Sequence, residues 1–429
     1  MALPQAKQDV TEARIAGLSL PESAVWLRGA REEALTRLRA MGLPGQRDEY
    51  WRFTRPDDLN APDAAPAHVF DAGDEAPVFG EIDRLRIVFR DGVFDPDASD
   101  DLTGEGLEIE RLQDVAQKDI HWSRDLYGVL EARGQIPVER PFAALNTAFA
   151  TDGVVIKAFG KVSRPINFVY LHERPDSDAI LHFVVRVESG AELTILENGP
   201  AAARFNKCME VDVADGGAFH LVRAQGRDHE RRAVTHLFAQ IGEGSTFKSF
   251  TLTANGVLTR NEAVIEILGD NAIAHIAGAA LGDGEFHHDD TVFVTHDAVG
   301  CESRQVFKKV LRNGAVGTFQ GKILVKQGAQ KTDGYQISQS LLLDDDAQFL
   351  AKPELEIYAD DVACSHGSTS GAIDEEALFY LRSRGVELGD AQDLLVLAFL
   401  AEAIEEIEDE AIAEDILSRL EGWLARHRG

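Results

Sequence analysis

Hydrophobic positions change their rhythm twice along this 429-residue chain. Near the N-terminus, Leu27, Ala30, Ala34, Leu38 and Met41 recur at helical spacing, after Pro21-Glu-Ser-Ala and before Gly42. Pro in a first turn and Gly just past a last turn are the expected helix boundaries. Residues 54–80 are rich in Pro, Asp and Ala and read as a tether. Leu85, Ile87 and Phe89 then alternate as a strand does, and a short helix is predicted over about Asp114–Glu131.

The second rhythm fills residues 140–373. Short β-prone runs such as Leu181–Val187, Ala263–Leu268 and Thr291–Thr295 are separated by Gly, Asp and Asn, with no long amphipathic helix between them. A turn signal repeats, and the small residue after it falls at Ala191, Ala218, Ser245 and Ala272, spaced 27 apart. A fixed period with a turn each time is the signature of a repeat architecture. It predicts a right-handed parallel β-helix in which these four residues stack in equivalent turns, with a large β-sandwich as the alternative.

The third rhythm, over 374–429, is helical again and acidic. Asp374-Glu-Glu opens one helix with carboxylates in the first turn, and Gly385 ends it. A second helix is predicted over about Asp390–Ile407. A third places Ile412, Ile416, Leu420, Trp423 and Leu424 on one stripe. The expected organisation is an N-terminal helical region with linker and lead-in strands (1–139), a β-helix core (140–373) and a C-terminal helical domain (374–429). That last domain is expected to be a unit separate from the solenoid, capping it, docking a partner, or both.

Charge narrows the function. Lys and Arg number 43 against 73 Asp and Glu, a formal net charge of −30. This argues against binding nucleic acid or an anionic membrane surface. The longest apolar run, Leu394–Ala401, is far short of a membrane span. No basic-then-apolar leader opens the sequence, and three widely spaced cysteines (Cys208, Cys301, Cys364) make neither a zinc pair nor a disulfide framework. The expected location is the cytoplasm, with reduced thiols.

Candidate chemistry concentrates in Glu356–Gly367. In an extended chain Val362, Cys364 and His366 share one face, with Cys364 and His366 roughly 6–7 Å apart. Such a pair can reach one borderline metal centre, can form a nucleophile–base pair, or can be a buried Cys and a satisfied His. Metal and cluster centres usually want four ligands, so further ligands would come from another chain. His287-His-Asp-Asp290 places His287 and Asp289 on one face and His288 and Asp290 on the other, and reads as a solvated turn. Gly314–Lys322 lacks phosphate-loop spacing: Val316 stands where the first Gly belongs and Ile323 where Ser or Thr belongs, so no ATP site is expected.

Residues 289–386 resemble the SufB/SufD family of iron–sulfur cluster assembly proteins, and its SufD branch most. The residues that carry the likeness are Ser303–Lys309, Phe319–Val325, Thr332-Asp-Gly, Leu341–Leu343, Lys352–Gly367 and Phe379–Gly385, with Gly42–Thr54 near the N-terminus. SufB-type chains carry a cysteine where this chain has Leu381. The resemblance implies a non-catalytic scaffold subunit that pairs with a SufB-like partner through the end of the β-helix. It implies docking of a SufC-like ABC ATPase through the C-terminal helices. It also implies a nascent iron–sulfur cluster shared transiently with the SufB-type partner through Cys364 and His366. Flavin binding and self-pairing of the isolated chain are left open. The rival function is a carbohydrate-active or acyl-transfer β-helix enzyme with catalytic residues along a lateral groove.

Overall fold

The structure, a computed structural model, describes residues 3–69, 76–226 and 229–427. From Val154 onward the strands alternate between two ten-stranded sheets. Sheet one includes Leu85–Arg90, Ile166–Leu171, Glu192–Asn198, Ala218–Gln225, Thr246–Ala254, Ile273–Asp283, Glu302–Arg312, Thr332–Leu342 and Val362–Gly371. Sheet two includes Leu107–Arg111, Val154–Ala158, Asp178–Val187, Arg204–Val213, Arg232–Ile241, Leu258–Ile267, His287–His296, Val316–Val325 and Gln348–Ile357. Successive coils pair in parallel, and antiparallel pairs occur at the first strands of the solenoid. A parallel ladder of this length is a β-helix and not a sandwich.

Glu192 lies opposite Ala218, Ala218 opposite Thr246, Thr246 opposite Ile273 and Ile273 opposite Glu302, so these coils are 26, 28, 27 and 29 residues long. Ala191, Ser245 and Ala272 do stack, as buried residues whose carbonyls accept from the amide that opens the next coil's strand. The fourth place in that stack belongs to Gly217, whose carbonyl accepts from Thr246, and not to Ala218. The even spacing of 27 is thus one residue out at one coil. Stacking holds the strand register, because a one-residue slip would turn every side chain over, while the turns absorb small differences in length.

Alternate strand residues face the lumen between the sheets. Leu193, Ile195, Phe219, Leu221, Phe247, Ala274 and Ile276 of sheet one meet Met209, Val211, Leu237, Ile265 and Val292 of sheet two there. Elsewhere on the strands, outward-facing residues such as Leu196, Val222, Phe250 and Leu252 of sheet one and Ile180, Val234 and Leu258 of sheet two are apolar as well, so part of each sheet's outer face is apolar. On sheet two that face is covered by the N-terminal segments: Ala34, Leu38, Trp51 and Phe142 pack on Ile180, Val234 and Leu258. On sheet one it is covered by the C-terminal helices: Val396, Leu400, Ile412, Ile416 and Leu420 pack with Val222, Leu252, Leu281 and Val310. The C-terminal helices therefore do not form the separate unit expected of them. They lie along the flank of the solenoid, pinned by Glu406 to His275 at 2.7 Å and Glu408 to Lys248 at 2.6 Å.

The helices Val25–Met41, Glu375–Ser383, Leu388–Ile404 and Glu410–Arg426 match the predicted ones. The first starts at Val25 and not Pro21, because the Pro21 and Ser23 carbonyls are taken by the guanidiniums of Arg31 and Arg28. A further helix, Gln5–Ile15, gave no clear sequence signal. The helix expected over Asp114–Glu131 breaks into Leu112–Val115, a 3-10 turn at Trp122–Asp125 and Val129–Arg133. Gly128, at φ +72, marks the break, with its amide donated to Glu210.

Removing Glu408–Gly429 should expose the outer face of sheet one around Val222, Leu252 and Leu281. The expected result is a lower melting temperature and increased binding of an apolar dye, and not an intact solenoid. Leu400→Ala tests the same packing with one side chain. A loss of about 2–5 kcal/mol in chemical denaturation is expected for a large-to-small change at a buried site.

Candidate functional site

The two columns of lumen-facing residues that end sheet one locate the site. One runs Leu193, Phe219, Phe247, Ala274, Ser303, Gly334 and Cys364. Its neighbour runs Ile195, Leu221, Ser249, Ile276, Gln305, Gln336 and His366. Both columns change from apolar to polar as they approach the last coil. Cys364 and His366 stand where earlier coils carry core side chains, but no further coil stacks on theirs. The strands Gln348–Ile357 and Val362–Gly371 hold no fully buried residue, and each is the outermost strand of its sheet.

Cys364 is half-buried against Ile323, Val325 and Leu355 of sheet two, and His366 is exposed. Gly334 gives the thiol room, since a Cβ there would stand 3.1 Å from Sγ. Next to His366 in register, Gln336 donates to Gln305 at 2.7 Å, while its own Oε1 is buried without a partner among the described residues. Further along the strand, Ser368 and Ser370 pair with Ser338 and Ser340 at 3.1 and 3.0 Å. Burial pushes the Cys364 thiol above its ordinary value and Asp333 adds to this, while the Gly334 backbone contact opposes it. The thiol is therefore protonated in the chain alone, and ligating a metal would release its proton.

The cysteines Cys208 and Cys301 are elsewhere. Cys208 is buried on the outer face of sheet two, and Cys301 is buried in a turn near the Gly269 carbonyl. Among the described residues, the group of three potential ligands that comes together is Glu108, Glu110 and His121, and Glu110 is already bonded to both Lys118 and His121. Cys364 and His366 thus stand on an open edge, outside any group of three potential ligands among the described residues.

His287–Asp290 is not the solvated turn that its composition suggests. It begins a buried strand, with Asp289 and Asp290 compensated by partners distant in sequence. Facing the lumen, Asp290 pairs with Lys309 at 2.7 Å and His288 at 3.3 Å. Facing outward, Asp289 holds Arg260, which also binds Glu262 at 2.8 Å and lies 4.1 Å over the Trp51 ring. Thr54 bonds both Asp289 and His287. The N-terminal motif is thus docked on this network, and it reaches the last coil through Tyr50 to Glu354 and Glu49 to Lys352. Sequence reasoning missed this cluster, although charged residues inside strand-like runs were its available signal.

The family model described as "SUF system FeS cluster assembly, SufBD core domain" matches residues 170–399, more than half of the chain. The chain belongs to the SufBD family. It is 28% identical over 410 residues to the iron-sulfur cluster assembly protein SufD of Escherichia coli, covering 91% of each chain. It is 29% identical over 405 residues to an iron-sulfur cluster assembly SufBD family protein of Synechocystis, covering 88% of this chain and 86% of that one. SufD of Bacillus subtilis is 26% identical over 294 residues, 66% of this chain and 67% of that one. Within the SufBD family this chain is most like SufD. Among the described residues, no helix is long and apolar enough to cross a membrane.

Two measurements probe these environments. Burial alone would raise the Glu262 carboxyl, but the guanidiniums of Arg260 and Arg140 outweigh it and hold it at about 2. A depressed carboxyl stabilises the fold above its unfolded value near 4.5 and loses that contribution as pH falls toward 2. Denaturation against pH should show a loss of about 3 kcal/mol across this window. Glu262→Gln should flatten that slope and cost about 3–5 kcal/mol at neutral pH by removing the carboxylate that pairs with the buried Arg140 and leaving Arg260 with Asp289 alone. For the thiols, iodoacetamide should label Cys364 well ahead of Cys208 and Cys301 in the folded chain. The labelling rate should still be climbing above pH 9, as read by peptide mass spectrometry.

Proposed function

We propose that this chain is a SufD-type scaffold subunit, not itself an enzyme, of a complex that assembles iron–sulfur clusters. The observation that carries the reading is the end of the two lumen columns at Cys364 and His366 on an unpaired edge. An edge strand with free amides and carbonyls is suited to pairing with another chain. A SufB-type partner stacking there would continue the solenoid and supply the missing ligands. The nascent cluster is cargo, held in passing between the two chains. Cys364 would bring a sulfur ligand once deprotonated and His366 an imidazole, a donor pair suited to iron. An isolated chain could cover the same edge with a second copy. Three free cysteines fit a reducing compartment such as the cytoplasm.

The ATPase is assigned to the helix Glu375–Ser383 and the start of the next. The first of these buries none of its residues, and Phe379 and Tyr380 are 74% and 56% exposed. Leu388 and Leu394 extend the exposed apolar surface. The last helix, in contrast, is committed to sheet one. The rival reading as a carbohydrate-active or acyl-transfer enzyme is disfavoured, because helices already cover the outer faces of both sheets.

The test uses the complex co-purified from cells. Cys364→Ser and His366→Ala should each leave stoichiometry and melting temperature unchanged while iron and acid-labile sulfide fall several-fold. Cys208→Ala is the control and should keep its cluster. Phe379→Asp with Tyr380→Asp should weaken ATPase association by at least about tenfold, as expected for exposed aromatic anchors. Normal cluster content in the Cys364→Ser, His366→Ala double variant would sink the site assignment.

A further inference from the structure

Far from the open end, the lumen holds more positive than negative charge. Arg231 opens the strand Arg232–Ile241, and its side chain is 1% exposed. One of its amino groups donates to the Gly199 carbonyl at 3.2 Å. Its Nε and Nη2 have no partner among the described residues. The Tyr170 hydroxyl, also buried, has none either. Arg223 is held by hydroxyls, Thr251 and Thr235 at 3.0 Å each, and not by a carboxylate. Arg231, Tyr170, Arg223 and Thr235 line a cavity of about 10 Å³ with Glu197 and Gln225. Among the described residues lining it, Glu197 is the one carboxylate, and both its oxygens are engaged by the buried Lys207.

Three buried cations therefore share one carboxylate. Burying an unpaired charge is costly, and donors left without acceptors add to the cost. Burial pushes the Arg231 guanidinium down to about 10, with the charge of Arg223 acting the same way, but that still leaves it charged at neutral pH. A water could take hydrogen bonds from Arg231 and Tyr170, but it would leave the charge in place. A cavity of this size has room for a single water-sized atom or ion. It shares Tyr170, Gly199 and Gln225 with a larger cavity of about 720 Å³ between sheet one and the last helix, which offers a route for exchange.

We propose that this cavity is a binding site for a small monovalent anion of the halide class, chloride in the cell, held by Arg231 and the Tyr170 hydroxyl beside Arg223. The anion would act as a structural counter-ion of the solenoid. The site is independent of Cys364 and His366, which lie several coils away.

Crystals of the full chain grown in sodium bromide, measured at the bromine edge, give the direct test. An anomalous peak within hydrogen-bond distance of Arg231 Nη2 and Tyr170 Oη is expected. In solution, melting at constant ionic strength should rise by about 1–3 °C for each tenfold exchange of gluconate for chloride, because a ligand of the folded state stabilises it by mass action. Arg231→Gln should abolish that chloride dependence, and Tyr170→Phe, which keeps the aromatic packing, should weaken it. If Arg231→Gln does not fold, Tyr170→Phe and the unaltered chain still decide. A water or a protein carboxylate in place of the peak overturns the proposal, as does equal melting in chloride and gluconate.

Discussion

Parallel stacking in fixed register is the constraint on which this molecule depends. Each coil satisfies its backbone amides and carbonyls on the coil before and the coil after it, so only the ends of the stack are left wanting. At the N-terminal end the short antiparallel strands close the stack. At the other end no strand among the described residues does. The position that would be core in any earlier coil becomes surface in the last, and the residues found there are Cys364 and His366. Their exposure follows from where the repeat stops, and needs no special loop or cleft.

The same stacking decides where the helices go. Strands in parallel sheets are commonly apolar on both faces, and both must then be covered. Here the N-terminal helices take sheet two and the C-terminal helices take sheet one, giving a layered body with the lumen at its centre. Elsewhere in this body buried carboxylates are matched by cations, as in Asp290 with Lys309 and Glu262 with Arg260 and Arg140. Against that background, the surplus of cations around Arg231 stands out.

Much of this was legible in the chain. The turn signal exposed the solenoid, the stripe from Ile412 to Leu424 exposed the last helix, and the period of two put Cys364 and His366 on one face. Other features were hidden for physical reasons. Val222, Phe250 and Leu252 face outward, yet they are as apolar as their inward neighbours, so local pattern could not show that a helix covers them. His287–Asp290 read as solvated because its compensating groups, Lys309, Arg260 and Thr54, are distant in sequence. Ala218 fitted an even spacing that the real coils, with their unequal turns, do not keep. That the coil of Cys364 is the last one is a fact of the whole stack, and no local motif carries it.

The contact between Tyr50 and Glu354 joins residues 304 apart. A solenoid by itself can nucleate at any coil and grow by local steps, with little loop closure at each. This clasp works against that locality. The N-terminal motif finds its partners on the final coils, so during synthesis it must wait until the chain through Glu354 has emerged. The coil bearing Cys364 is then secured in one closing event, between segments 304 residues apart. A chain cut short before Lys352 would fold most of its coils yet lack that clasp, and its unfinished edge would be open to wrong partners.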